Sequence, residues 1–222
     1  MSLLVLIKII SGVISIFIFV PVFMFIAYLF FDQYNKFYLR LVGQGNRWYQ
    51  NLFIIPAGLF FYFKRKYIRK NMKKGPLENH IAIVIADNYF PENICCFGLD
   101  NAIKLIKYLK KHNKNYRVYN KITFKKLKKV IYDKNVKSIF LFGHGERHGI
   151  KVGRNELVYY CEFPNHPKKH LIAQFHCNHF KGKPLSEYAK EKPLYNFVTD
   201  NLQNHKKINK QINEMIKKGL IK

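Results

Sequence analysis

The sequence predicts an α/β fold: a mostly parallel sheet flanked by helices, preceded by an amino-terminal transmembrane region of one or two helices. Three observations carry this. Short apolar runs alternate with stretches of helical spacing from His80 onward, the pattern of strands joined by crossover helices. Two of those runs, Ser138 to Phe142 and Leu171 to Phe175, end abruptly on reactive side chains, His144 between two glycines and Cys177. Before them lies a long, mainly apolar region that ends in the cluster KRKYIRKNMKK, Lys64 to Lys74.

Leu3 to Phe31 is almost wholly apolar, interrupted by Lys8 and a few small or hydroxyl residues. It exceeds the roughly 20 residues that a spanning helix needs. Pro21 kinks such a helix without forbidding it. The stretch is too long for a signal-peptide core, and no small-residue cleavage site follows it. Trp48 to Phe63 is apolar again apart from Gln50 and Asn51, but falls short of a comfortable span. If it crosses, the two helices form a hairpin with both termini inside; if it lies in the interface, the amino terminus is outside. Positive residues flanking a span stay on the cytoplasmic side, so the remainder of the chain is expected to face the cytoplasm. Residues 1–74 therefore read as the anchor, and 75–222 as a cytoplasmic domain that opens at Gly75 and Pro76.

In that domain His80 to Ala86 reads as a buried strand ending at Asp87. Leu99 to His112 keeps Leu99, Ala102, Ile103, Ile106 and Leu109 on one helix face. Tyr116 to Tyr119 reads as a second strand. Thr123 caps a helix with Leu127, Val130 and Ile131 inward. The third strand leads to His144. Gly149 to Phe163 reads as a hairpin turning near Gly153 to Asn155, and the fourth core strand leads to Cys177. A short helical segment follows Pro184, then a longer helix from Pro193 with Leu194, Phe197, Val198, Leu202, Ile208, Ile212, Met215 and Ile216 at helical spacing. Strand, helix, strand, helix, strand predicts right-handed crossovers and parallel pairing.

The 222 residues carry 39 Lys and Arg against 13 Asp and Glu, a formal charge of +26. Such a balance points to nucleic acid or an anionic membrane. Here lysine dominates, and Asn, Ile, Phe and Tyr are abundant with it, a pervasive bias that codon usage produces as readily as surface selection. The charge therefore counts only where it is clustered, as at Lys64 to Lys74, and the partner it indicates there is the lipid bilayer. Nothing resembles a helix-turn-helix, OB-fold or RNA-binding motif, so no specific nucleic-acid partner is expected. The cysteines, Cys95, Cys96, Cys161 and Cys177, show neither a CxxC pair nor regular spacing, which fits a reducing compartment.

Two parallel neighbouring strands lie roughly 4.8 Å apart and bring their carboxyl ends together at the edge where ligands bind. That arrangement sets the imidazole of His144 beside the thiol of Cys177. Gly145 lets the backbone approach a substrate closely, with its N–H available to an oxyanion. The motif SIFLFGHG followed by a strand ending in Cys is similar to the caspase-like cysteine peptidases, the clan of caspases, metacaspases, clostripain, separase and CHAT domains. The earlier IAIVIADNYFPENICCFGLDNAIKLIKYL resembles the metacaspase opening, and the resemblance spans roughly Ile81 to Ala189. The order discriminates, since papain-like enzymes place cysteine first and viral cysteine proteases with histidine first are all-β.

The resemblance implies a cysteine endopeptidase acting on a protein or peptide without a cofactor. His144 would be the base or proton shuttle, Cys177 the nucleophile, and the N–H groups of Gly145 and Cys177 the oxyanion donors. Asp87 and Asp100 would form an acidic site for a basic substrate side chain; for Asp100 the alternative is a helix-start acid favoured by the dipole. The context His176-Cys177-Asn178-His179 departs from the family, which often has a small or acidic residue before the cysteine and Gly or Ser soon after. Two other readings stay open. His144, His148, His176, Cys177 and His179 supply enough nitrogen and sulfur for tetrahedral zinc, although alternate strand residues face opposite ways. The domain could also be an inactive, membrane-tethered interaction module.

Overall fold

The computed structural model describes residues 62–72, 77–86, 97–153, 156–176, 181–198 and 205–221. The expected span Leu3 to Phe31, and the segment from Trp48 as far as residue 61, lie outside the described residues. Among the described residues no helix is long and apolar enough to cross a membrane. By contacts the chain divides at Leu59 and Phe60, and all the described residues fall in the second unit, Phe60–Lys222. The described part of the basic cluster, residues 64–72, belongs to that second unit. Residues 62–70 are helical (α1), with Ile68 fully buried in the core. A single apolar side chain among cations leaves little periodic signal, so the sequence reads as a solvated flank.

After α1 come β1 (His80–Ile85), α2 (Phe97–Lys111), β2 (Tyr116–Asn120), α3 (Phe124–Tyr132) and β3 (Val136–Phe142). A small antiparallel sheet follows, β4 (Gly145–Glu146), β5 (Gly149–Val152) and β6 (Glu156–Tyr159), and then β7 (Leu171–Phe175), β8 (Tyr195–Val198) and α4 (His205–Lys217). The main sheet has five strands in the order β2-β1-β3-β7-β8, all paired in parallel. Thr123 stands at the start of α3, as expected, but its side chain makes no capping hydrogen bond.

Period-two alternation sorts the central strands onto two cores. Ile81, Ile83, Ile85, Phe140, Phe142, Ala173 and Phe175 face α1, α2 and α4. Ala82, Val84, Ile139, Leu141 and Ile172 face α3 and the small sheet. Burial on both faces explains the near-continuous apolar runs.

The expected long helix from Pro193 is corrected. Tyr195–Val198 pairs with β7 as a fifth parallel strand, from Leu171↔Tyr195 to Gln174↔Val198, and the helix starts only at His205. Phe197 and Val198 are adjacent, a spacing that fits strand and helix alike, and aromatic and β-branched types favour the strand.

Candidate active site

Every strand of the main sheet is parallel, but the order of addition reverses between β1 and β3, and the crevice beyond the carboxyl ends near such a switch point is where open α/β sheets bind ligands. β3 and β7 are neighbours in register, with Phe142 opposite Phe175. His144 follows the first of these strands by two residues and Cys177 the second, as the sequence anticipates. Residues 177–180 and 87–96 lie outside the described residues, and with them Cys177, His179 and Asp87. His144, partly exposed, is described.

Gly143 takes φ +150°, a conformation that L side chains rarely adopt. The chain leaves β3 there and enters the small sheet, where the His144 carbonyl accepts the Lys151 N–H at 2.9 Å. A Cβ on Gly145 would stand 2.6 Å from the Gly149 carbonyl oxygen and 2.9 Å from Nδ1 of His176. Both glycines flanking the histidine are therefore demanded by the backbone: one by its dihedral, the other by the closeness of β5 and β7.

Beneath this corner lies a buried polar cluster. His176 continues β7 and is 1 % exposed. Its Nε2 lies 2.6 Å from the hydroxyl of fully buried Tyr160. Burial pushes the Tyr160 phenol well above its ordinary value, so it keeps its proton. Gln174 uses its Oε1 to accept the Leu185 N–H at 2.8 Å. Its Nε2 thereby points toward the Arg147 carbonyl at 3.3 Å and His176 Nε2 at 3.5 Å. With two donors facing His176 Nε2, that atom is the acceptor and the ring proton sits on Nδ1, the nitrogen beneath Gly145. Satisfied networks of this kind rigidify what they touch. Tyr160 and Gln174 were not singled out from the sequence; the signal available was one amide inside the apolar run LIAQF.

His148 faces a different set of groups. Its Nε2 lies 3.2 Å from Glu146, its ring stacks on Tyr159 with centroids 5.4 Å apart and planes 5° apart, and Gly182 packs against its Cβ. Among the described residues no three His, Cys, Asp or Glu side chains are grouped to hold a metal ion.

Asp100 stands in the first turn of α2, at the carboxyl side of the sheet. Both its oxygens meet Lys64 Nζ of α1, at 2.7 and 2.9 Å. An incoming basic side chain would have to displace that lysine, and the dipole of α2 favours the acid where it is. Comparison with protein families, with curated proteins and with solved structures gave no match.

Proposed function

We propose that the chain is a membrane-anchored cysteine peptidase of the caspase-like type, with its soluble domain facing the cytoplasm. The observation that supports it best is the pairing of β3 with β7 in parallel, Phe142 opposite Phe175. Strand ends so paired would bring the residues that follow them, His144 and Cys177, near one another at the edge where α/β sheets bind ligands. In this reading His144 takes the thiol proton as Cys177 attacks the scissile carbonyl carbon, and returns it to the leaving amine. Water then hydrolyses the thioester, again with His144 as base, releasing the carboxylate and restoring the thiol. Gly145 N–H and Cys177 N–H would hold the oxyanion. Asp87 is the carboxylate proposed to select a basic side chain, since Asp100 is engaged by Lys64.

The test is covalent labelling of the full chain with an electrophilic peptide carrying Arg or Lys beside the warhead. Cys177 should react well ahead of Cys161, which is an exposed free thiol. His144→Ala should slow that labelling by roughly 10²-fold. Equal reactivity of the two thiols would defeat the reading. Stoichiometric zinc in the purified protein, lost on Cys177→Ala together with stability, would replace it by a metal site.

A further inference from the structure

α1 holds one particular place on the domain. Lys64, in the first described turn of α1, is bound to Asp100 in the first turn of α2. The start of α2 lies at the carboxyl edge of the sheet, because its far end returns directly to the start of β2, beside which Ile81 N–H reaches the Asn115 carbonyl at 2.9 Å. Further along α1, Tyr67 receives the Lys107 ammonium over its ring at 5.9 Å, so α1 runs beside α2 toward the amino edge. The start of α1 therefore lies at the same edge that carries His144 and His176.

The outward face of α1 has its own character. Tyr62 and Phe63 are 56 % and 60 % exposed, and Lys66, Arg69 and Lys70 are exposed beside them. No acid occurs between Tyr62 and Met72. Aromatic residues at the headgroup level with cations beside them is the composition of a helix resting on an anionic interface. The segment that precedes it, Trp48 to residue 61, is apolar apart from Gln50 and Asn51. The remaining face of α1 is committed to the domain through Ile68 and Lys64.

We propose that this outward face of α1 docks on an anionic lipid bilayer and thereby holds the carboxyl edge of the sheet, with the candidate site, close to the headgroup layer. Resting on the peptidase reading, the consequence is a substrate class: peptide segments that reach the site along the membrane surface. The contact itself needs no catalysis. Tyr62 and Phe63 enter the interface, Lys66, Arg69 and Lys70 meet lipid phosphates or carboxylates, and the Lys64–Asp100 pair transmits the position to α2.

The full chain, with its four native cysteines replaced by serine, is reconstituted into vesicles of phosphatidylcholine with or without phosphatidylserine. It carries one fluorophore, either at Lys181→Cys, next to Gly182, which lies against His148, or at Lys134→Cys, in the turn before β3 at the amino edge. A quencher attached to the lipid headgroup should quench position 181 severalfold more than position 134 when phosphatidylserine is present. Lys66→Glu, Arg69→Glu and Lys70→Glu together should remove most of that difference, with circular dichroism unchanged because all three side chains are exposed. Equal quenching at both positions, stronger quenching at 134, or a difference indifferent to phosphatidylserine and to charge reversal would each overturn the proposal. Since the thiol nucleophile is absent throughout, none of these outcomes bears on whether Cys177 is reactive.

Discussion

Lys169 is 1 % exposed, although lysine is seldom buried without a partner. Its Nζ donates to the Asp133 carbonyl at 2.7 Å, where α3 ends, a favourable place for a cation. Burial outweighs this, helped by Lys137 and opposed by Asp133, and lowers its pKa from 10.5 to about 8. The native state therefore holds fewer protons than the unfolded chain between those values, so stability rises with pH across that window. Below about pH 8 both states are charged, and the cost of burying the ammonium is present in full. That cost is on the order of 3 kcal/mol at about 1.4 kcal/mol per unit. Lys169→Met should flatten the rise in unfolding free energy between pH 8 and 10.5, measured by urea titration against the wild type. An unchanged slope would show that Lys169 is not its source. Nothing in the sequence separates this lysine from the others, because its burial is decided by the neighbouring β7 and α3. His144 and Gly145 were legible for the opposite reason: glycines bracketing a polar residue after an apolar run are a local signal.

At the scale of elements, the central strands were readable because burial on both faces writes them as uninterrupted apolar runs. β8 and α1 were not. β8 is an edge strand whose residues are partly or largely exposed, so it lacks that signature. In α1 the inward residue is Ile68, with Arg and Lys nearby, and a stop-transfer cluster has the same composition. The structure nevertheless makes α1 integral. Ile68 packs with residues of α2 and α4 in one cluster that includes Leu105, Ile106, Ile208 and Ile212. Ile68→Ala should therefore destabilise the globular unit by about 2–5 kcal/mol, read as a lowered denaturation midpoint. Lys64→Ala should cost at most about 1 kcal/mol, because the pair it breaks is partly exposed. If Ile68→Ala proves silent, α1 is an appendage of the domain.

For the molecule as a whole, the site edge and the start of α1 coincide, and this joins the two proposals into one measurable consequence. A ligand confined to the bilayer surface is presented to a nearby site at an effective concentration far above its bulk value, and the gain vanishes when the site cannot be reached. The labelling probe with a basic side chain can be made in two forms, soluble or carrying an acyl chain that holds it in the vesicle. On the reconstituted full chain, the ratio of labelling at Cys177 to that at Cys161 should rise roughly tenfold or more when the probe is tethered. Reporting a ratio between two thiols of one chain cancels the general enrichment of probe near the vesicle. Charge reversal at Lys66, Arg69 and Lys70 should return the ratio toward its soluble value without slowing the soluble probe, because those residues lie on α1 and are not among the proposed catalytic residues. A ratio unchanged by tethering, with Cys177 still the faster thiol, would leave the peptidase standing and turn its site away from the membrane. A tethered probe that favours Cys161 would do the same and place that thiol, next to Tyr160, on the lipid side instead.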